Sequence, residues 1–128
     1  MQTFADPIKY ASRMAPTKTA VIDGPESISY AQLHRRCRLL AGALQELGLE
    51  KGDRVAILAN NGQRYIETYV GVPAAGLVVV PLNTRHAVKE LKYALEDSQT
   101  KVLLSDRDPG ELAECVDHVI MIPDAYDT

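Results

Sequence analysis

The chain has 128 residues, of which 46% are hydrophobic and 24% charged, and a net charge of −3. Those values suit one globular domain around a single buried core. They exclude the basic footprint of a nucleic-acid binder, and no apolar run approaches the ~20 residues that span a bilayer.

Hydrophobic period and turn chemistry divide the chain into alternating strands and helices. Residues 8–14 read as a short opening helix that Pro16 stops. Thr19-Ala20-Val21-Ile22 reads as a strand, Asp23-Gly24-Pro25-Glu26 as a turn, and Ser27-Ile28-Ser29 as the returning arm of a hairpin. In the next helix Leu33, Cys37, Leu40, Leu44 and Leu47 form one apolar stripe. Ser29 and Gln32 are spaced as a capping box, Ile28 and Leu33 as a hydrophobic staple, and Gly48 stands where a left-handed C-terminal cap belongs.

Arg54-Val55-Ala56-Ile57-Leu58 reads as a strand, followed by a helix over residues 63–75 with Tyr65, Ile66, Tyr69 and Val70 inward. Pro73 should bend or end that helix early. Leu77-Val78-Val79-Val80-Pro81-Leu82 is apolar without alternation, which predicts a strand buried on both faces. Val88, Leu91, Ala94 and Leu95 mark another amphipathic helix. Lys101-Val102-Leu103-Leu104-Ser105 is a further strand, Asp108-Pro109 opens a short helix with Leu112, Ala113 and Val116, and His118-Val119-Ile120-Met121-Ile122 is the last strand. Alternation of this kind predicts an α/β fold, a mostly parallel sheet with flanking helices.

No reactive constellation stands out. His34, His86 and His118 are scattered, and the paired spacings of a structural zinc site are missing. Cys37 falls on the apolar stripe and reads as a core thiol. With only Cys37 and Cys115 present and no basic start or apolar stretch at the N-terminus, a cytoplasmic chain with free thiols is expected. Arg35, Arg36 and Arg38 read as a solvated helix face.

Parallel sheets bind ligands past the carboxyl ends of their strands. The loops there are Ala59-Asn60-Asn61-Gly62, Asn83-Thr84-Arg85-His86 and Asp106-Arg107-Asp108, and none holds a G-x-G-x-x-G or Gly-Lys-Ser/Thr run. Asn60 or Asn61 is explained as a helix N-cap. Arg85 is explained as an arginine that ties one loop to another.

The ordered string says more. Thr19-Ala20-Val21-Ile22 with Ile28-Ser29-Tyr30-Ala31-Gln32-Leu33 resembles the opening core motif of the adenylate-forming superfamily, which includes acyl-CoA synthetases. Leu47-Gly48-Leu49-Glu50-Lys51-Gly52-Asp53-Arg54-Val55-Ala56-Ile57 continues the match. Gly71-Val72-Pro73-Ala74-Ala75-Gly76-Leu77-Val78-Val79-Val80-Pro81-Leu82-Asn83 resembles the second core motif, and the likeness covers about residues 10–122. Departures are Ala74, where the family usually has a basic residue, and His86-Ala87-Val88-Lys89-Glu90, where it often has Thr-Pro-Glu-Glu.

The resemblance implies that residues 1–128 are the incomplete N-terminal part of an acyl-CoA synthetase-like large domain. Such enzymes activate a carboxylic acid with ATP and magnesium as an acyl-adenylate, then transfer the acyl group to coenzyme A. The Thr-Ser-Gly-Thr-Thr-Gly-like phosphate loop, the magnesium acid, the ribose aspartate and the C-terminal lysine of that family have no counterpart here. The expectation is therefore no catalytic, cofactor-binding or metal-ligating residue in this chain, and no activity of the chain alone. Only Asn83 and Arg85, just past a strand end, are singled out for active-site contact. The alternative is a stand-alone, non-catalytic binding module on the same scaffold, a homodimer that covers its own exposed faces.

Overall fold

The computed structural model describes residues 10–11, 13–23, 26–60 and 63–122. Of the expected opening helix, Tyr10, Ala11, Arg13 and Met14 are helical, and the rest lies outside the described residues. Strands β1 (Thr19–Asp23) and β2 (Glu26–Ser29) form an antiparallel hairpin that stands apart as its own two-stranded sheet.

Helix α1 (Tyr30–Glu46) begins where the local chemistry places it. Ser29 Oγ accepts the Gln32 N–H at 3.2 Å, and Gln32 Oε1 accepts the Ser29 N–H at 2.8 Å. Two of the orphan donors of the first turn are thus satisfied. At the other end Gly48 takes φ 77°, closing the helix as a left-handed cap. Leu33, Cys37, Leu40 and Leu44 are buried, the expected stripe.

The main sheet comprises β3 (Arg54–Leu58), β4 (Val78–Pro81), β5 (Val102–Ser105) and β6 (His118–Met121), in the order β4-β3-β5-β6 and parallel throughout. Between them run α2 (Gln63–Ala74), α3 (Val88–Asp97) and a short 3-10 helix, Gly110–Cys115. Pro73 lies in the last turn of α2, and the helix ends one residue later. The Leu77 N–H reaches the Val72 carbonyl and the Gly76 N–H the Pro73 carbonyl, a Schellman closure made possible by φ 80° at Gly76. The same pair of bonds ends α3, from Thr100 to Leu95 and from Gln99 to Glu96, but with a glutamine in the left-handed position at φ 55°.

Alternation along β3 and β5 separates two packed layers. On the first face Val55, Ile57, Val102 and Leu104 pack with Val72 of α2 and Leu40 and Leu44 of α1. On the second, Ala56, Leu58 and Leu103 pack with Leu91 and Leu95 of α3 and Leu112 of the 3-10 helix. A satellite cluster of Ile28, Leu33, Cys37 and Val70 fixes the hairpin to α1 and α2. The expected α/β arrangement, a parallel sheet covered by helices, is present.

Three expectations change. The strand read as buried on both faces lies at the edge of the sheet among the described strands: Val78 is 47% exposed and Pro81 is exposed. Full burial belongs instead to β5 and most of β3, in the middle of the sheet. An apolar run reports how a strand packs above and below, not whether it has neighbours on both sides. On α2, Ile66 is 38% exposed, while Glu67 and Thr68 are wholly buried. Val88, placed on the inner stripe of α3, is 49% exposed.

Candidate functional site

In open parallel sheets a ligand crevice forms where the elements following adjacent strands depart to opposite faces. After β3 the chain passes to α2 on the first face, whereas β4 and β5 lead to α3 and the 3-10 helix on the second. The carboxyl end of β3 is therefore flanked by divergence on both sides. The described residues of the three loops singled out from the sequence all lie at this end of the sheet.

Between β3 and β5 the crevice is bridged. Asp106 Oδ2 accepts the Asn60 N–H at 2.9 Å, and Asp106 Oδ1 accepts Arg107 Nε at 2.7 Å. Arg107 Nη2 in turn donates to Asn60 Oδ1 at 3.4 Å. Ser105 Oγ braces the turn by donating to the Arg107 carbonyl at 2.6 Å and accepting the Arg107 N–H at 3.2 Å. Burial pushes the Asp106 carboxyl up, but the bonds from Arg107 and the Asn60 N–H outweigh it and hold it below its ordinary value. The Asp106 hydrogen bond raises Arg107 correspondingly.

Between β3 and β4 the loop is self-contained. Asn83 Oδ1 accepts the Arg85 N–H at 2.9 Å, an Asx turn, and the Asn83 carbonyl accepts the His86 N–H at 3.0 Å. Arg85 is exposed, and no described residue pairs with its guanidinium. The expected inter-loop arginine exists, but it is Arg107 and not Arg85. Asn60 serves the bridge and not a helix cap, since α2 starts at Gln63; Asn61 lies outside the described residues. Nothing local in the sequence signals the bridge, because its partners are 46 and 47 residues apart.

Arg36 is a second correction. Its Nε donates to Glu67 Oε1 across the α1–α2 contact, with Glu67 wholly buried and Arg36 19% exposed, so it does not belong to a solvated face. Sequence reading missed the pair because a glutamate on an amphipathic helix defaults to solvent. Gly71, one turn further along α2, lets the helices approach closely: a Cβ there would lie 3.1 Å from the Cys37 carbonyl oxygen and from Leu40 Cδ2.

Among the described residues the donor sets do not fit a nucleotide–magnesium complex. Both carboxylate oxygens of Asp106 are engaged, Asn83 is spent on its own turn, and among the described residues no group of three His, Cys, Asp or Glu could hold a metal ion. Among the described residues the arrangement orders the loops and leaves the Arg85 side chain exposed, with no described residue paired to it. Among the described residues no helix is long and apolar enough to cross a membrane.

The profile of AMP-binding enzymes matches residues 8–126. A feruloyl-CoA synthase of Amycolatopsis sp is 44% identical over 105 residues, covering 82% of this chain and 21% of that protein. A long-chain-fatty-acid–CoA ligase of Thermus thermophilus is 41% identical over 88 residues, 69% of this chain and 16% of the relative. The inhibitor-bound crystal structure of the N-terminal domain of FACL13 from Mycobacterium tuberculosis superposes with a TM-score of 0.88 at 26% identity, covering 98% of this chain and 34% of that one. The chain thus spans about a fifth of the length of the curated relatives it matches.

Proposed function

Because this chain belongs to the AMP-binding enzyme family, we propose that residues 1–128 are the N-terminal part of an ATP-dependent acid–thiol ligase of the acyl-CoA synthetase type. In that reading a carboxylic acid, aromatic or fatty, is activated with ATP and its acyl group is passed to coenzyme A in the cytoplasm. The observation that carries it is the match along residues 8–126, joined to relatives whose names describe CoA ligation of both acid classes.

This chain's share of the work is architectural. The sheet and its two helical layers form a rigid base, and the Asp106–Arg107–Asn60 bridge fixes the β3 and β5 loops that rise from it. No residue here is assigned a catalytic, nucleotide-binding or magnesium-binding role. Arg85 is the group available to touch an anionic ligand, because it is exposed and its loop is already ordered by Asn83.

The test is direct. A polypeptide extended past Thr128 along its own coding sequence should form a CoA thioester, with release of AMP and pyrophosphate, from ferulate-like or fatty acids. The 128-residue chain should form none. Thioester formation by the short chain, or none by the long one with either acid class, overturns the reading.

A further inference from the structure

On the second face of the sheet, α3 and the 3-10 helix beside it turn a groove outward that no further described element covers, with Cys115 Sγ donating to Glu96 Oε1 at 3.8 Å. Val88 is 49% and Tyr93 68% exposed. Together with Lys89, Lys92, Glu96 and Glu111 they line an open groove of about 470 Å³.

The charges on this face have an order. Lys89 and Lys92 stand in the N-terminal half of the helix, Glu96 stands in its last turn, and that turn holds no basic residue. The N-terminal end of a helix is its positive pole, so these charges oppose the dipole of their own helix. Glu90, the one acid of the first turn, is engaged at the cap: it accepts the Ala87 N–H at 3.4 Å and lies 3.7 Å from His86 Nε2. Lys89 and Glu96 are two turns apart, about 10 Å along one face.

We propose that this face is a homodimer interface in which α3 of a second copy lies antiparallel across a two-fold axis passing between Lys92 and Tyr93. That axis sets Lys89 of one protomer against Glu96 of its partner, and Lys92 over the ring of the partner's Tyr93. Every contact occurs twice, as in a closed isologous pair. Each lysine then also meets the negative pole of the partner helix and each Glu96 the positive pole, so the misfit within one helix becomes a match between two. A parallel pairing would set lysine against lysine. One helix face makes a small contact, so the association is expected to be weak and reversible.

Sedimentation velocity of the 128-residue chain over a concentration series tests this. A reversible dimer should appear and weaken as salt rises from about 0.05 to 0.5 M. Lys89→Glu or Glu96→Lys should each raise the dissociation constant about tenfold, since either change sets like charges together at two symmetric places. The double variant K89E/E96K should recover most but not all of that loss, because the ion pairs return while each charge now faces the like pole of the partner helix. Tyr93→Ala should weaken the dimer too. Each single reversal agrees with the dipole of α3 better than the native residue does, so a lost dimer cannot be put down to a lost helix; circular dichroism verifies this. A monomer at millimolar concentration, a dimer indifferent to the single reversals, or no recovery in the double variant overturns the proposal.

Discussion

Cys37 sits between α1 and α2 at 3% exposure, with burial first and the neighbouring Glu67 second pushing its thiol up to about 12 from 9.0. The folded state favours the neutral thiol, and an unfolded chain ionises near its ordinary value. The associated stability is therefore complete below pH 9.0 and lost as pH climbs towards 12. Urea midpoints measured across that interval should fall for the native chain and fall less for Cys37→Ala. Equal slopes would refute the assignment. The Arg36–Glu67 pair beside it supports a second prediction. Arg36→Leu removes the arginine that donates to a wholly buried carboxylate, which should cost about 3 kcal/mol. Replacing Arg35, which is exposed, should stay within about 0.5 kcal/mol. Urea denaturation compares the two directly; equal losses would return Arg36 to the solvated face on which the sequence placed it. Cys37 was legible because one apolar stripe suffices to bury it. Glu67 was not, because its burial depends on an arginine 31 residues away.

Helix ends show the same division among elements. Everything that starts and stops α1 lies within a few residues of its ends, so capping box and terminal glycine were readable before any tertiary contact. Helix α3 has half of that equipment. Ala87 already takes the extended N-cap conformation, φ −69° and ψ 159°, and Glu90 reaches back to its N–H, but an alanine side chain accepts nothing. Ala87→Ser completes the box by accepting the Glu90 N–H and should stabilise the fold by about 1 kcal/mol. A rise in thermal midpoint measures it; an unchanged midpoint would mean that the Glu90 contact at 3.4 Å does not hold the turn in place. The misreading of β4 has a different origin. Its composition matched that of a central strand, and only the order β4-β3-β5-β6 shows that one of its sides has no neighbour among the described residues.

That order governs how the whole molecule behaves in solution. Both outer strands, β4 and β6, are only partly buried, while β3 and β5 between them carry the core. An edge strand offers a row of unpaired backbone groups, and Val78-Val79-Val80 adds apolar side chains with no charge among them to repel a second edge. Val79 and Val80 belong to the packed layers on the two faces, so neither can be changed without loss of core. Val78 belongs to neither layer and is 47% exposed. Val78→Lys should therefore alter stability by no more than about 0.5 kcal/mol and lower the growth of light scattering in concentrated samples, since a charge on an edge blocks strand-to-strand addition. The same variant should leave the α3-mediated dimer intact, because no β4 residue lines that groove and Val78 does not belong to the layer beneath it. Scattering that persists in Val78→Lys but disappears in Tyr93→Ala would locate the adhesive surface on α3 alone and leave the β4 edge silent.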